Sequence, residues 1–250
     1  MNIIGKKIVR LATVDSTNYY MSDEIRRGAI IQEGTIIIAD KQTKGKGLDA
    51  NTWESETGKN LTFSIFITPD FLKAERQFML NKTIALGIYD FVKSVVKKQK
   101  VSIKWPNDIY IDNGKVAGIL INNTISGNNF VYSIVGAGIN INQTRFVSDA
   151  PNPVSLRKYL KHNLDLEECL NSLCSFLNAR YKQLEKPDYS GLDSCYLSVL
   201  FRLNEIHPYR FENNIIYARI TGVSEYGKLQ LLTKNNQKIE CDLKEIEYVI

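Results

Sequence analysis

The spacing of hydrophobic and polar residues predicts a chain that mixes strands and helices up to about residue 200. Runs of β-branched and apolar residues are typical of strands, and apolar residues at every third or fourth position are typical of amphipathic helices. Gly28 suits the end of the first helix, and Asp165 suits the start of the last. Strands are predicted over 7–14, 35–39, 61–67, 102–111, 115–122 and 130–141, and helices over 18–27, 75–98 and 165–184.

The pattern changes near residue 204, beyond which only short stretches have strand character. Turn signals separate these stretches at a spacing typical of a small β-barrel or sandwich. We therefore predict an α+β fold with two domains, residues 1–203 and 204–250. The C-terminal strands are predicted over 215–223, 229–233, 239–243 and 247–250.

The segment Ile-Lys-Trp-Pro-Asn-Asp at residues 103–108 places a cation beside a strand-breaking proline. Because Pro106 cannot donate a ladder hydrogen bond, we expect Lys104 at the tip of a strand. An ammonium group there can hold a phosphate or a carboxylate. Taken alone, Lys104 is better interpreted as a surface lysine beside a turn. Asp108 has two possible interpretations, a carboxylate on the metal side of the site or a structural turn residue, and the turn role is at least as well supported.

A loop rich in lysine and glycine follows the strand that ends near residue 39. Its glycines allow backbone amides to approach an oxyanion, and its lysines add positive charge. The GxxxxGK[ST] pattern of a P-loop is absent. A flexible surface loop is an equally good interpretation in isolation. Trp53, taken alone, is better explained by core or lid packing than by stacking on a base.

Two other segments have more than one interpretation. Gly136 and Gly138 lie in a predicted strand, where glycine marks close approach of a ligand or of another backbone. Ser16, Thr17 and Asn18 open the first helix. Capping is the favoured interpretation of these three residues, and the alternative is that they hold a polar ligand head at the helix N-terminus.

Composition narrows the function classes. The formal charge of +5 is mild and does not by itself indicate nucleic acid. No apolar run is long enough to span a bilayer and no signal-peptide pattern is present, so we expect a cytoplasmic location. The four cysteines lack CxxC spacing, which predicts reduced thiols and no metal site. Only two histidines, His162 and His207, are present, and nucleophilic catalysis is poorly supported.

Five short motifs, in this order and at this spacing, resemble those of the biotin–protein ligase family. They are DSTN (15–18), DKQTKGKG (40–47) followed by Trp53, KWPND (104–108), GKVAGIL (114–120) and GAGININ (136–142). Each is weak alone, but the ordered set is specific. The resemblance implies a mixed, largely antiparallel sheet with helices on one face, of the class II synthetase/ligase type, and a small C-terminal SH3-like β module.

The resemblance also implies a two-step reaction. Biotin and MgATP form biotinyl-5′-adenylate and pyrophosphate, and a lysine of an acceptor, usually a biotin carboxyl carrier domain, then attacks the mixed anhydride. This chemistry needs positioning and positive charge rather than an enzyme nucleophile. Lys104 matches the family's essential lysine and is the expected catalytic residue.

Binding residues are implied in the same way, motif by motif. The positions on the biotin side are Ser16, Thr17, Asn18, Gln42, Gly45, Lys46, Gly47, Leu48, Lys115 and Gly118. The positions on the nucleotide side are Trp53, Asn107 and Asn140. No residue is assigned as a metal ligand, and Mg²⁺ is expected to arrive with ATP.

The glycine-rich loop departs from the family pattern GRGRxGRxW. Lys46 replaces an arginine and keeps the charge without the planar fork. Leu48 replaces the arginine associated with retaining the adenylate, and Ala50 replaces a glycine, which disfavours any positive φ there. We therefore expect the adenylate to be held less tightly than in relatives that have both arginines.

Two alternatives remain beside this interpretation. A lipoate–protein ligase shares the adenylate chemistry, although KWPND and the loop with Trp53 favour biotin. A catalytically impaired biotin-binding protein is suggested by the altered loop. Because the first motif begins at Asp15, we expect no N-terminal winged helix and no sequence-specific DNA binding. We expect no membrane partner, and a homodimer is left open.

Overall fold

A computed structural model describes residues 2–48, 51–148 and 151–249. The strands are β1 (Ile8–Val14), β2 (Ile36–Gln42), β3 (Leu61–Ile67), β4 (Val101–Lys104), β5 (Asp108–Ile111), β6 (Gly114–Ser126), β7 (Asn129–Ile139), β8 (Ile206–Phe211), β9 (Asn214–Val223), β10 (Leu229–Thr233), β11 (Lys238–Cys241) and β12 (Ile246–Tyr248). The helices are α1 (Thr17–Arg26), α2 (Gln77–Val95), α3 (Leu156–Leu160), α4 (Leu166–Leu184) and α5 (Ser190–Ser198).

The described strands form two sheets. The larger sheet has the order β1-β2-β3-β7-β6-β5-β4, and the smaller one has the order β11-β10-β9-β8-β12. In the larger sheet β1 and β2 are parallel and the other neighbours are antiparallel. The smaller sheet is antiparallel throughout. The predicted α+β class, with a mixed, largely antiparallel sheet and a C-terminal β module, is confirmed.

Strand β3 shows why helices cover both faces of the larger sheet. Successive side chains of a strand point to opposite faces. Leu61, Phe63, Ile65 and Ile67 join the main core with α2 and α4, whereas Phe66 packs in a smaller cluster with Met21 of α1. The expected placement of helices on one face is therefore incomplete, because α1 covers the opposite face.

The predicted strand over 102–111 is wrong, because it is two strands joined by a tight turn. Strands β4 and β5 pair antiparallel, with Lys104 opposite Asp108, and Trp105-Pro106-Asn107 form the turn. The Trp105–Pro106 peptide bond is cis. Pro106 lacks the donor that a continuous strand needs, so the chain reverses here. Lys104 is therefore at the end of a strand, as predicted.

Two helix boundaries follow the predicted capping signals. The Asp165 side chain accepts a hydrogen bond from the Glu168 amide at 2.9 Å, and Gly28 has a φ of +88° just after α1. Strand β8 and the short helices α3 and α5 were not predicted.

One hydrophobic core extends across the predicted domain boundary at residues 203 and 204. Tyr209, Ile220 and Leu231 of the smaller sheet belong to the same buried cluster as Phe91 of α2. The indole Nε1 of Trp105 also donates to the Gly227 carbonyl at 2.8 Å. The two-domain division stays a prediction, and the two sheets pack through shared apolar contacts.

All four cysteines are free thiols. Burial raises the pKa of Cys169, Cys174 and Cys241 to about 11, so these thiols stay protonated near neutral pH. Within the described residues, no helix has both the length and the apolar character to cross a bilayer.

Candidate active site

A polar network lies at the start of α1 and joins four elements. The Thr17 amide donates to Gln42 Oε1 at 2.8 Å, and the Ser64 hydroxyl contacts Thr17 Oγ1 at 2.8 Å and Asn18 Oδ1 at 2.5 Å. Asn18 Nδ2 also donates to the Leu120 carbonyl at 3.3 Å. Ser16 is the N-cap residue, but its side chain makes no capping hydrogen bond. These groups are thus organised around a cavity rather than used to cap the helix.

The turn after Lys104 is held by hydrogen bonds from several elements. Asn107 donates its side-chain amide to the Ile119 carbonyl, and the Ile119 amide returns a bond to the Asn107 carbonyl at 3.2 Å. The Tyr196 hydroxyl of α5 donates to the Pro106 carbonyl at 3.2 Å. Trp105 also donates to Gly227, so this turn has partners in α5, in β6 and in the turn that joins β9 to β10 of the smaller sheet. The position of Lys104 is therefore fixed from several sides.

Lys104 is partly buried, and its ammonium faces aromatic rings. Nζ lies 4.5 Å from the centre of the Tyr248 ring and 5.7 Å from that of Tyr110. Burial lowers the pKa of Lys104 below its usual value, and Asp108 partly opposes this effect. The surface-lysine interpretation is therefore wrong, because the ammonium is at the wall of a cavity.

A second lysine approaches the same carboxylate. Lys115 Nζ lies 2.8 Å from Asp108 Oδ1 and 5.8 Å from the centre of the Trp53 ring. The Trp53 ring lies against Gly138, where an added Cβ would be 2.2 Å from Cε2, and against Gly118, where it would be 3.2 Å from Cζ3. These glycines pair across β6 and β7 and leave room for the indole. The predicted close approach at Gly138 is therefore made by a side chain.

Gly136, the other glycine of the GAGININ motif, makes room for the polar network. A Cβ at Gly136 would be 2.4 Å from Asn18 Oδ1. Only a residue without a side chain allows Asn18 to lie over β7 in this way.

The lysine- and glycine-rich loop is fixed at its base. The Asp15 carboxylate accepts from the Thr43 hydroxyl at 2.7 Å and from Lys44 Nζ at 3.1 Å. These two bonds lower the pKa of Asp15. At the far end, the Trp53 amide donates to the Gly45 carbonyl at 2.9 Å. Ala50, whose replacement of a glycine was predicted to restrict the loop, lies outside the described residues.

A single cavity of about 590 Å³ connects the polar network, the loop and the Lys104 turn. Of the residues predicted for the site, it is lined by Ser16, Thr17, Asn18, Gln42, Lys46, Gly47, Leu48, Trp53, Lys104, Asn107, Lys115 and Gly118. Their roles toward biotin and nucleotide stay predictions. The cavity has polar acceptors and donors at one end and two lysines at another, which suits a ligand with a polar head and an anionic group.

Two predicted residues do not line this cavity. Gly45 is a buried residue of the loop, and an added Cβ there would be 2.6 Å from the Trp53 carbonyl oxygen. Asn140 is buried, and its Nδ2 donates to the Val154 carbonyl at 3.0 Å while its Oδ1 has no partner within the described chain. The predicted roles of both residues toward the ligands stay predictions.

Sequence reasoning missed the wall that comes from the smaller sheet. Arg210, Leu243, Ile246, Glu247, Tyr248 and Val249 all line the cavity. These residues lie more than a hundred positions after the Lys104 turn, and no local pattern marks them. The one available signal was Trp105, a large aromatic beside the turn that required a partner for its indole nitrogen.

The cavity places fixed positive charge at one end of a polar pocket, an arrangement that favours a reaction between an acid and a phosphate. A biotin protein ligase from Aquifex aeolicus, solved with biotin and ATP, superposes with a TM-score of 0.80 at 25% identity, over 98% of this chain and 100% of that one. The bifunctional ligase/repressor BirA of Bacillus subtilis is 26% identical over 94% of this chain and 72% of its own length.

A third relative has nearly the same extent as this chain. The biotin–[acetyl-CoA-carboxylase] ligase of Paracoccus denitrificans is 28% identical over 88% of this chain and 92% of its own length. The model of the biotin/lipoate A/B protein ligase family matches residues 11–140. The chain belongs to the biotin/lipoate A/B protein ligase family.

Proposed function

We propose that this protein attaches biotin to a lysine of an acceptor carrier domain in an ATP-dependent reaction through biotinyl-5′-adenylate. The observation that carries the proposal is the single cavity that joins the Thr17–Gln42–Ser64 network to Lys104. Relatives of the same fold bind biotin and ATP, and the ordered motifs of this chain fall on the cavity walls.

The first step joins the two substrates. The biotin carboxylate oxygen attacks the α-phosphorus of ATP and forms a new O–P bond. The bond from the α-phosphorus to the oxygen that bridges to the β-phosphate breaks, and pyrophosphate leaves with the electrons of that bond. Lys104 supplies positive charge where the carboxylate meets the phosphate, and this charge matters most as negative charge gathers in the transition state. The polar groups of Ser16, Thr17, Asn18 and Gln42 hold the biotin ring system.

The second step transfers the acyl group. The neutral amine of the acceptor lysine attacks the carbonyl carbon of the mixed anhydride, and an amide forms as the nitrogen releases a proton to solvent. AMP leaves with the electrons of the broken C–O bond. The enzyme contributes orientation of the anhydride and exclusion of water, whose attack would waste the intermediate.

Mass spectrometry of an acceptor domain tests the proposal. The purified chain is incubated with an apo carrier domain, MgATP and either biotin or lipoate. We expect the acceptor to gain the mass of one biotinyl group, with pyrophosphate release, and to gain nothing without ATP. Transfer of lipoate alone assigns the chain to the other branch of the family, and binding of biotin without pyrophosphate release assigns an impaired, ligand-binding role.

The carrier acceptor follows from the proposed reaction. The absence of sequence-specific DNA binding and a cytoplasmic location stay predictions, and homodimer formation stays open. A gel shift that is selective for sequence and resistant to salt would contradict the prediction on DNA.

A further inference from the structure

The smaller sheet brings an aromatic ring to the ammonium of the proposed catalytic lysine. Nζ of Lys104 lies 4.5 Å from the centre of the Tyr248 ring, and Tyr248 also lines the cavity. Among the described residues, the rings of Tyr248 and Tyr110 face this ammonium, and the Asp108 carboxylate is paired at 2.8 Å with Lys115. The partly buried ammonium therefore lies nearest to the Tyr248 ring, while the Asp108 and Glu247 carboxylates act on it as charges.

Tyr248 is itself fixed by its neighbours. Its ring packs edge-on against Tyr209 at 5.2 Å and tilted against Phe201 at 6.2 Å, and its side chain is 9% exposed. Strand β12 pairs with β8 so that Tyr248 lies opposite Tyr209. The bond from Trp105 to Gly227 ties the same sheet to the residue after Lys104. Ring and lysine are therefore held in one relative position.

We propose that Tyr248 is a positioning residue, whose ring face holds the Lys104 ammonium in the cavity and makes adenylation depend on the C-terminal sheet. This inference rests on the function proposed above. The ring, rather than the hydroxyl, carries the effect, because the buried Tyr248 hydroxyl has no hydrogen-bond partner among the described residues.

A ring face suits this task better than a carboxylate. An aromatic face attracts a cation through its quadrupole without accepting any particular N–H bond. An ammonium group has three donors, and all three remain available for the phosphate and carboxylate oxygens of the substrates. A paired carboxylate would instead compete with those anionic oxygens.

The charges that surround Lys104 set the direction of a pH test. Asp108 of β5 and Glu247 of β12 favour the charged form, while Lys115 of β6 and Arg202 disfavour it. The ring of Tyr248 also favours the charged form. Replacing the ring with an aliphatic side chain lowers the pKa of Lys104 further, so activity that needs the ammonium is lost at a lower pH.

Four enzymes compared for biotin-dependent pyrophosphate release test the proposal: the wild type, Tyr248→Phe, Tyr248→Leu and Tyr217→Leu. Tyr217 is a matched control, because Lys234 Nζ lies 4.7 Å from its ring on the same sheet but outside the cavity. We expect kcat/KM to fall about tenfold in Tyr248→Leu, from the loss of one cation–π contact. The kcat/KM of Tyr248→Phe and of Tyr217→Leu should stay within about twofold of the wild-type value. Among the variants, only Tyr248→Leu should shift the alkaline limb of the pH profile of pyrophosphate release to lower pH.

The outcomes separate this inference from the proposed function. A wild-type enzyme that releases no pyrophosphate overturns the function itself. An active wild type with equal losses in Tyr248→Phe and Tyr248→Leu, or with no loss in either, overturns the role of the ring. If Tyr248→Leu does not fold, Tyr248→3,4,5-trifluorophenylalanine keeps the ring shape and weakens its negative face. That variant should lose activity relative to Tyr248→Phe, and equal activity of the two overturns the proposal.

Discussion

The Asp108 carboxylate lies 2.8 Å from the Lys115 ammonium. Asp108 is also the residue opposite Lys104 in the backbone pairing of the β4–β5 hairpin. One carboxylate thus offsets the mutual repulsion of two cations on one cavity wall. This relationship favours an electrostatic role for Asp108 over the two roles left open by sequence. It also gives the two lysines different surroundings. The Lys115 ammonium is ion-paired with Asp108, whereas the Lys104 ammonium faces an aromatic ring and can contact an anionic ligand.

Removing the Asp108 charge should change the pH range of adenylation. Asp108 raises the pKa of Lys104 against the lowering effect of burial, so Asp108→Asn lowers that pKa further. The ammonium is present below its pKa and lost above it. The alkaline limb of pyrophosphate release should therefore move to lower pH in the variant. The exposed carboxylate of Glu240 gives the control, Glu240→Gln, whose profile should match the wild type. An unmoved limb in Asp108→Asn would rule out this coupling.

Lys104→Ala should abolish most adenylation and keep the fold. Loss of one preorganised charge at a reacting phosphate costs about two to three orders of magnitude in rate. The turn keeps its bonds through Trp105, Pro106 and Asn107, so the melting temperature should change little. Pyrophosphate release and a thermal melt measure the two effects. Lys98→Ala removes an exposed lysine that lies three residues after the end of α2, and it should have no effect. Normal turnover in Lys104→Ala would remove this lysine from the mechanism.

The fold class and most of the site could be predicted because their signals are local. Proline at 106 ends a strand, asparagine-glycine at 113–114 closes a hairpin, and Asp165 caps α4. The motifs around Thr17, Gln42 and Lys104 are short and ordered, and the cavity gathers them.

The rest depends on contacts between residues distant in the chain. Tyr248 reaches Lys104 across about 140 residues, and its strand has no pattern that marks a site. Helix α1 lies on the opposite face of the sheet because Met21 packs in the same cluster as Phe66. The spacing of apolar residues in α1 or in β3 does not determine that contact. Helices α3 and α5 are short, and short helices owe their stability to packing rather than to sequence pattern.

The missing arginine at position 48 should weaken retention of the intermediate. Leu48 lines the cavity without charge, and a guanidinium there could bond the phosphate of the adenylate. Leu48→Arg should slow dissociation of biotinyl-adenylate by about tenfold, within the range for a bond to a charged group. Leu48→Gln is the uncharged control and should leave the rate near that of the wild type. Stopped-flow release of the adenylate, chased with unlabelled ligand, measures the rate. Equal rates in all three enzymes would contradict the prediction.

Asp15→Asn should loosen the base of the lysine- and glycine-rich loop. Asp15 accepts bonds from Thr43 and Lys44, and these bonds lower its pKa, so its contribution is present at neutral pH and lost as pH falls through the lowered pKa. Amide hydrogen exchange at Thr43 and Lys44, whose amides donate to the Val14 and Asp15 carbonyls, should be several times faster in the variant at pH 7. Asp40→Asn, on the same strand-to-loop segment, should exchange like the wild type, and a matching rate in Asp15→Asn would argue against this anchor.

Gly138→Ala should displace the Trp53 indole from its place against β7, where it lines the cavity. The added Cβ would be 2.2 Å from Trp53 Cε2, closer than unbonded atoms approach, so the ring must move. Trp105 is 4% exposed, and acrylamide quenching of tryptophan fluorescence therefore reports mainly on Trp53. We expect stronger quenching in Gly138→Ala and a loss of adenylation of about one to two orders of magnitude, because this part of the cavity wall is misplaced. Gly191→Ala, where an added Cβ meets nothing within 4 Å, should match the wild type in both measurements. If quenching increases and turnover stays normal, Trp53 moves without consequence and has no part in holding the nucleotide.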